Sequence, residues 1–264
     1  MQIPKKVCIV AVEGDAPTPL LVSSEHGELL NLGQLIRAGT LAPTILVPDS
    51  TDLTSNWVAL VTSAWQTNSA APETIWQAAS RVGKNCVVVN FPIGPNTSGD
   101  TIETGDWDLC WIRFVITHQQ AYAELDHWLG RVLQSAGKET LVVLVHLGMA
   151  TASTDAKQKR ARKKSPTKQT RAVQGLAVLH GPGIKKGFTL QRTVRINDLV
   201  PSICHLLELP MPEETDGAVL YQAFQDPNFQ AKQLRTLRAG VARLEQALAD
   251  EPWQPWHGTG EPAF

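Results

Sequence analysis

Short apolar runs alternate with stretches of helical spacing along most of the chain. The apolar runs occupy residues 7–12, 86–91, 109–115, 141–145 and 176–179. Apolar residues recur at helical spacing over residues 29–38, 56–64, 72–82 and 122–135. Continuous apolar runs are typical of strands that are covered on both faces, as in a parallel sheet. The alternation therefore predicts an α/β fold, a three-layer α/β/α sandwich with a mostly parallel central sheet.

A long amphipathic helix is predicted near the end of the chain, over residues 229–250. Its apolar residues follow a strict three-four spacing and are Leu234, Leu237, Val241, Leu244 and Leu248. Such a stripe usually covers the core of its own domain and sometimes forms a two-helix seam with a partner, which here would give a homodimer. We therefore divide the chain into an α/β domain over residues 1–228 and a C-terminal helix and tail over residues 229–264, which packs on the domain or on a partner.

The overall charge gives no reason to expect a polyanionic partner. The chain has 24 Lys and Arg against 25 Asp and Glu, a formal net charge of -1, so any attraction of nucleic acid must be local. Residues 157–171 form a basic loop, rich in Lys and Arg and without an acidic residue. The candidate anion-binding residues in this loop are Lys163, Lys164, Lys168 and Arg171.

The cysteines and the N-terminus indicate a cytoplasmic protein. Cys8, Cys86, Cys110 and Cys204 lie far apart and show no CxxC or Cys/His ligand spacing, so we expect free thiols in a reducing compartment. The apolar run at residues 7–12 is too short for the core of a signal peptide or for a membrane span. No membrane partner is therefore expected.

Residues 181–224 carry the most specific pattern in the chain. They begin with Gly-Pro-Gly-Ile, continue with a helix that Asn197 or Asp198 can cap and that has Pro201 in its first turn, and end with a Pro-rich stretch before Asp-Gly. This segment resembles the C-terminal part of type I phosphodiesterases and sulfatases. Weaker resemblances occur in the same order over residues 7–14, 29–39, 55–63 and 106–146. The chain thus resembles a short member of the alkaline phosphatase superfamily, in its type I phosphodiesterase/nucleotide pyrophosphatase branch.

The resemblance implies a two-metal active site at the carboxyl ends of the strands. Active members of the family hold two ions, commonly zinc, which activate a Thr or Ser nucleophile and stabilise charge on the phosphoryl group. Where the family has the Asp of the first strand, this chain has Glu13, with Asp15 nearby as a substitute. Where the family has the nucleophile, it has Leu53, unless the turn differs by a residue or two and Thr54 or Thr51 serves.

Other ligand positions of the family also carry different residues here. After the third strand, Thr117 stands in place of an Asp, and His118 follows it. The family pattern Asp-His-Gly-Met reads His-Leu-Gly-Met in this chain, with His146 and Leu147 at its first two positions. The last His of the family falls near Thr170 or Arg171, and an arginine there would repel a divalent cation.

One function suggested by this comparison is binding without catalysis. Such a pseudoenzyme has lost the dinuclear site, needs no metal cofactor, and binds an anionic small molecule or a protein partner at the old cleft. Leu53 and Leu147 are then expected to fill part of the pocket. In the family, the segment that corresponds to residues 157–171 lies across the mouth of the active site, so the basic loop would attract anions there.

Two other functions stay open. In the first, the chain is a metal-dependent phosphodiesterase or phosphatase: Glu13, His118 and His146 hold one zinc or manganese ion, and Thr54 is the nucleophile. In the second, the chain is a nucleic-acid-binding accessory protein that uses the basic loop. No aromatic residue stands within that loop, which argues against stacking on single strands.

Overall fold

The apolar runs of the sequence form five strands of one eight-stranded sheet in the computed structural model of the chain. The structure describes residues 2–14, 17–47, 53–65, 71–92, 96–97, 106–148 and 174–250. The strands are β1 Lys6–Gly14, β2 Thr40–Ile45, β3 Cys86–Val89, β4 Leu109–Val115, β5 Thr140–Gly148, β6 Gln174–His180, β7 Phe188–Thr189 and β8 Val194–Arg195. The predicted strands are all present, and β2, β7 and β8 are additional.

The strand order is β3-β4-β1-β5-β6-β2-β7, and β8 also pairs with β2. Only β6 runs antiparallel to its described neighbours, β5 and β2. The other pairs, from β3 to β5 and from β2 to β7 and β8, are parallel. The prediction of a mostly parallel sheet is therefore confirmed. The strands that were predicted from continuous apolar runs are neighbours in this order, from β3 at one end to β6.

Helices cover both faces of this sheet. The helices among the described residues are α1 Pro17–Glu25, α2 Leu30–Ala38, α3 Leu53–Thr62, α4 Ile75–Ser80, α5 Gln120–Ser135, α6 Leu199–Leu207 and α7 Phe229–Asp250, with 3-10 turns at Ile196–Asp198 and Tyr221–Ala223. The chain divides into two compact units, Met1–Gln225 and Asp226–Phe264, and α7 belongs to the second. No helix among the described residues is both long enough and apolar enough to cross a membrane.

The two faces of the sheet have different packing. On one face, Cys8, Val10 and Val12 of β1 join a core cluster with leucines from α1, α2 and α5. On the other face, rings from α3, α4, β4 and the end of β3 meet edge to face, with centroids 4.8 to 6.1 Å apart. These rings are Trp57, Trp76, Phe91 and Trp111. The predicted α/β/α layering is confirmed, because each face buries apolar side chains against its own set of helices.

Asp126 of α5 fixes the start of α2. Its carboxylate accepts hydrogen bonds from the backbone N–H of Leu32 at 2.8 Å and of Asn31 at 3.3 Å, and from Asn31 Nδ2 at 3.0 Å. A carboxylate at this end satisfies N–H groups that have no partner within the helix, and it interacts favourably with the helix dipole. This contact holds two helices together on the face of the sheet that carries Val12.

The cysteines are free thiols in the structure. Cys8, Cys110 and Cys204 are buried, and Cys86 is partly exposed. Burial raises the pKa of the Cys204 thiol to about 12. A thiol with so high a pKa is almost entirely protonated at neutral pH, which makes it a poor nucleophile and a poor metal ligand. Cys204 therefore contributes to packing rather than to a site.

Candidate functional site

The carboxyl ends of β3, β4, β1 and β5 lie side by side, and Glu13 stands near the end of β1. Its cross-strand partners are Val115 on β4 and Leu147 on β5. Partners in register share a face of the sheet, so the Glu13 carboxylate is flanked by two apolar side chains. Leu147 is fully buried. At this edge an apolar group thus occupies the position where the family resemblance expects a histidine ligand.

Glu13 forms an ion pair with Arg113 of β4. Both Arg113 Nε and Nη2 donate to Glu13 Oε2, at 2.8 and 2.6 Å. The side chain of Glu13 is 12% exposed and that of Arg113 is 26% exposed, so the pair is only partly screened by water. The guanidinium carbon lies 5.7 Å from the centroid of the Trp57 ring, which adds a cation–π contact. The carboxylate is therefore already matched by a fixed positive charge.

His146 points away from Glu13. Val12 and His146 are cross-strand partners, as are Glu13 and Leu147, and successive side chains of a strand point to opposite faces. His146 is fully buried, and neither ring nitrogen has a hydrogen-bond partner among the described residues. Burial lowers the pKa of this imidazole to about 4, so it is neutral at physiological pH.

The remaining candidates lie in the first turns of helices or just before them. His118 is exposed, and its Nδ1 accepts a hydrogen bond from the backbone N–H of Ala121 at 3.2 Å, at the start of α5. Thr54 is exposed in the first turn of α3. Leu53 begins that helix, and its side chain is not described.

The proposed metal ligands do not form a common site. In the part of the chain that the structure describes, no three His, Cys, Asp or Glu side chains are grouped closely enough to hold a metal ion. Glu13 and His146 lie on opposite faces, and Glu13 is paired with a guanidinium. This donor set does not fit the pair of metal ions that the resemblance implies, because such ions need several oxygen and nitrogen donors that converge. Asp15, Thr51 and the basic-loop residues Lys163, Lys164, Lys168 and Arg171 lie outside the described residues.

A cavity of about 680 Å³ opens beside Arg113. It is lined by Asn90, Phe91, Asn96, Arg113, Phe114 and Val115. The Asn96 side chain bonds both the N–H and the C=O of Phe91, each at 2.9 Å, and thereby fixes one wall. Arg113 was not predicted as a site residue, although a single arginine within the apolar strand LCWIRFV is a visible signal. A half-buried cation beside a cavity is a natural site for an anion.

The specific pattern at residues 181–224 forms a structural connection with the end of α3. The carbonyl oxygen of Ser63 accepts hydrogen bonds from Asp216 N at 3.1 Å and Gly217 N at 3.2 Å. Asn197 Nδ2 donates to Asp216 Oδ1 at 2.5 Å. Ser63 has a φ of 60°. It is the last residue of the 55–63 segment, whose resembling family pattern, Pro-Asn-Trp-x-Ser-Leu-x-Thr-Gly, has glycine at this position. The left-handed conformation explains why that pattern favours glycine, because a side chain is strained there.

The cap of α6 differs from our expectation. Asp198 precedes α6, but its side chain makes no cap hydrogen bond to that helix. Its carboxylate instead accepts from Arg195 N at 3.0 Å and Ala218 N at 2.8 Å. Pro201 does lie in the first turn of α6. Asp198 thus joins the residues before α6 to the segment after Gly217, rather than capping the N-terminus of α6.

Similar folds occur among solved structures. Murine ectonucleotide pyrophosphatase/phosphodiesterase 5, in an inactive form in complex with AMP, matches with a TM-score of 0.53 and 12% identity over 78% of this chain and 95% of that chain. A protein in the alkaline phosphatase superfamily from Vibrio parahaemolyticus matches with a TM-score of 0.57 and 13% identity over 83% of this chain and 70% of that chain. No protein-family model and no curated protein matches the sequence. The chain therefore has the α/β/α fold of the alkaline phosphatase superfamily.

Proposed function

We propose that this protein is a catalytically silent, alkaline-phosphatase-like protein that binds an anionic ligand bearing a phosphate or sulfate group at the carboxyl edge of its sheet. The observation that carries the proposal is the Glu13–Arg113 ion pair beside the cavity. We also propose that the protein is cytoplasmic, in agreement with its free cysteines.

A guanidinium here can replace part of what metal ions do in active relatives. Arginine presents a planar set of N–H donors that matches the oxygens of phosphate and sulfate, and it keeps its charge at any physiological pH. Glu13 neutralises that charge when no ligand is present and competes with an incoming anion.

The arrangement gives little support to hydrolysis. Metal-assisted phosphoryl transfer requires donors that converge on the ions and a nucleophile beside them. In this chain, Leu147 lies next to Glu13 where a donor is needed, and His146 is buried on the other face of the sheet. Binding can survive these replacements, because a single charged donor beside a cavity still attracts an anion.

The proposal predicts opposite effects from two substitutions, measured by isothermal titration calorimetry with AMP and with inorganic phosphate. Glu13→Gln removes the competing carboxylate and leaves Arg113 in place, so affinity should rise by about threefold to tenfold. Adding Arg113→Gln to that variant should lower affinity by about tenfold or more relative to Glu13→Gln alone, since the charged donor is lost. The double variant avoids leaving one half-buried charge without its partner.

Arg192→Gln is the matched control, because Arg192 is exposed and lies between β7 and β8. It should bind the same probes as tightly as the wild type. An affinity that falls in Glu13→Gln would contradict the proposal, since Glu13 would then support binding of the anion rather than compete with it. Zinc-dependent hydrolysis of an aryl phosphodiester by the wild type would contradict it as well.

A further inference from the structure

The apolar stripe of α7 is exposed to solvent. Its members Leu234, Leu237, Val241, Leu244 and Leu248 have exposed fractions of 49% to 76%. They recur at alternating steps of three and four, which is the heptad spacing of a coiled-coil seam with Leu and Val at the two core positions. A helix that covers a globular core normally has a wider apolar face. The stripe of α7 is narrow, so it fits a single partner helix.

The residues beside the stripe indicate the partner. Arg238 and Glu245 are one heptad apart on one flank, and Gly240 and Ala247 are one heptad apart on the other. An antiparallel pair of identical helices places each flank against the same flank of the second copy. Opposite charges then meet on one side, and small residues that allow close approach meet on the other. We propose that α7 forms an antiparallel two-helix coiled coil with α7 of a second copy of this chain.

Charge also selects one register for this pair. If Leu237 packs against Leu248 of the second copy and Val241 against Leu244 of the second copy, Arg238 lies beside Glu245 of the second copy, and the pair occurs twice by symmetry. Sliding the helices by one heptad in one direction brings Arg238 against Arg238 of the second copy. Sliding them in the other direction brings Glu245 against Glu245 of the second copy. Like charges repel in both cases. A parallel pair would place neutral Gln233 and Gly240 opposite these charges and would gain nothing from them.

Analytical ultracentrifugation of the full chain over a range of concentrations tests the inference. The wild type should form dimers. Arg238→Glu should raise the dimer dissociation constant by roughly tenfold or more, because two attractive pairs become repulsive. Combining Arg238→Glu with Glu245→Arg restores opposite charges and should return the dissociation constant to within about threefold of the wild type.

Arg235→Glu is the control, since Arg235 has the same charge on the same helix and lies away from the seam and its flanks. It should leave dimerisation unchanged. A wild type that is monomeric at every concentration would overturn the inference and would leave the core of its own domain, or another protein, as the cover of the stripe. The inference also fails if Arg235→Glu weakens the dimer as much as Arg238→Glu, or if the charge-swapped double variant is no tighter than Arg238→Glu alone. None of these results bears on anion binding at Arg113.

Discussion

Replacing Gly217 with alanine should lower the free energy of unfolding by about 3 kcal/mol or more. A Cβ at this position would lie 2.1 Å from the carbonyl oxygen of Asn197 and 2.7 Å from Ser63 Oγ. The first of these atoms is backbone, so it cannot rotate away. Moving it would disturb the hydrogen bonds that join Ser63, Asn197 and Asp216. Urea unfolding followed by circular dichroism gives the change directly.

Gly137→Ala provides the comparison for that experiment. A Cβ on Gly137 meets nothing within 4 Å, so this substitution should change stability by less than about 1 kcal/mol. If Gly217→Ala unfolds at the same urea concentration as the wild type, the close approach of the Asp-Gly segment to Asn197 is wrong. The family-like pattern at residues 181–224 would then lose its structural explanation.

The second large expected effect is a loss of folding stability at acidic pH. The pKa of His146 falls from its ordinary value of 6.5 to about 4 in the folded chain, because burial disfavours the charged imidazole. The unfolded chain therefore binds a proton as the pH drops through 6.5, whereas the folded chain does not. This difference in proton binding should leave the free energy of unfolding unchanged above pH 6.5 and lower it by about 3 kcal/mol at pH 4. The loss should develop between these two pH values.

His146→Leu should remove this part of the acid sensitivity. A leucine needs no hydrogen-bond partner among the apolar neighbours of His146, so the variant should match or exceed the wild type at pH 7 and lose less stability towards pH 4.5. His127→Gln alters an exposed histidine and should keep the wild-type profile. Urea unfolding at a series of pH values measures all three proteins. Parallel profiles for the wild type and His146→Leu would show that His146 is not buried as a neutral group.

Local patterns were enough to predict most of the central sheet and its helices. The run at residues 7–12 predicted β1, because a strand buried on both faces has no need of polar positions. β2 was missed for the opposite reason. Its sequence TLAPTI has two threonines and a proline, yet Thr40 and Thr44 are fully buried between neighbouring strands. Hydrophobicity alone does not identify such a strand, since its burial is set by partners that are distant in sequence.

The composition of the candidate site could be predicted only in part. The resemblance directed attention to Glu13 and His146, and both lie near strand ends at the carboxyl edge. Their separation depends on the register that pairs Val12 with His146, and a shift of one residue would have put both side chains on one face. The partner of Glu13 was also hidden, because Arg113 comes from a strand a hundred residues away in sequence and meets it only through the order β4-β1-β5.

The metal content of the full chain tests the central claim most directly. The protein is incubated with excess zinc, passed through gel filtration to remove loosely bound ions, and analysed by mass spectrometry of the elements. A carboxyl edge occupied by the Glu13–Arg113 pair predicts much less than one equivalent of zinc, and the same amount in Glu13→Gln. Two equivalents in the wild type that are lost in Glu13→Gln would contradict the account, because Glu13 would then be a metal ligand rather than the partner of an arginine.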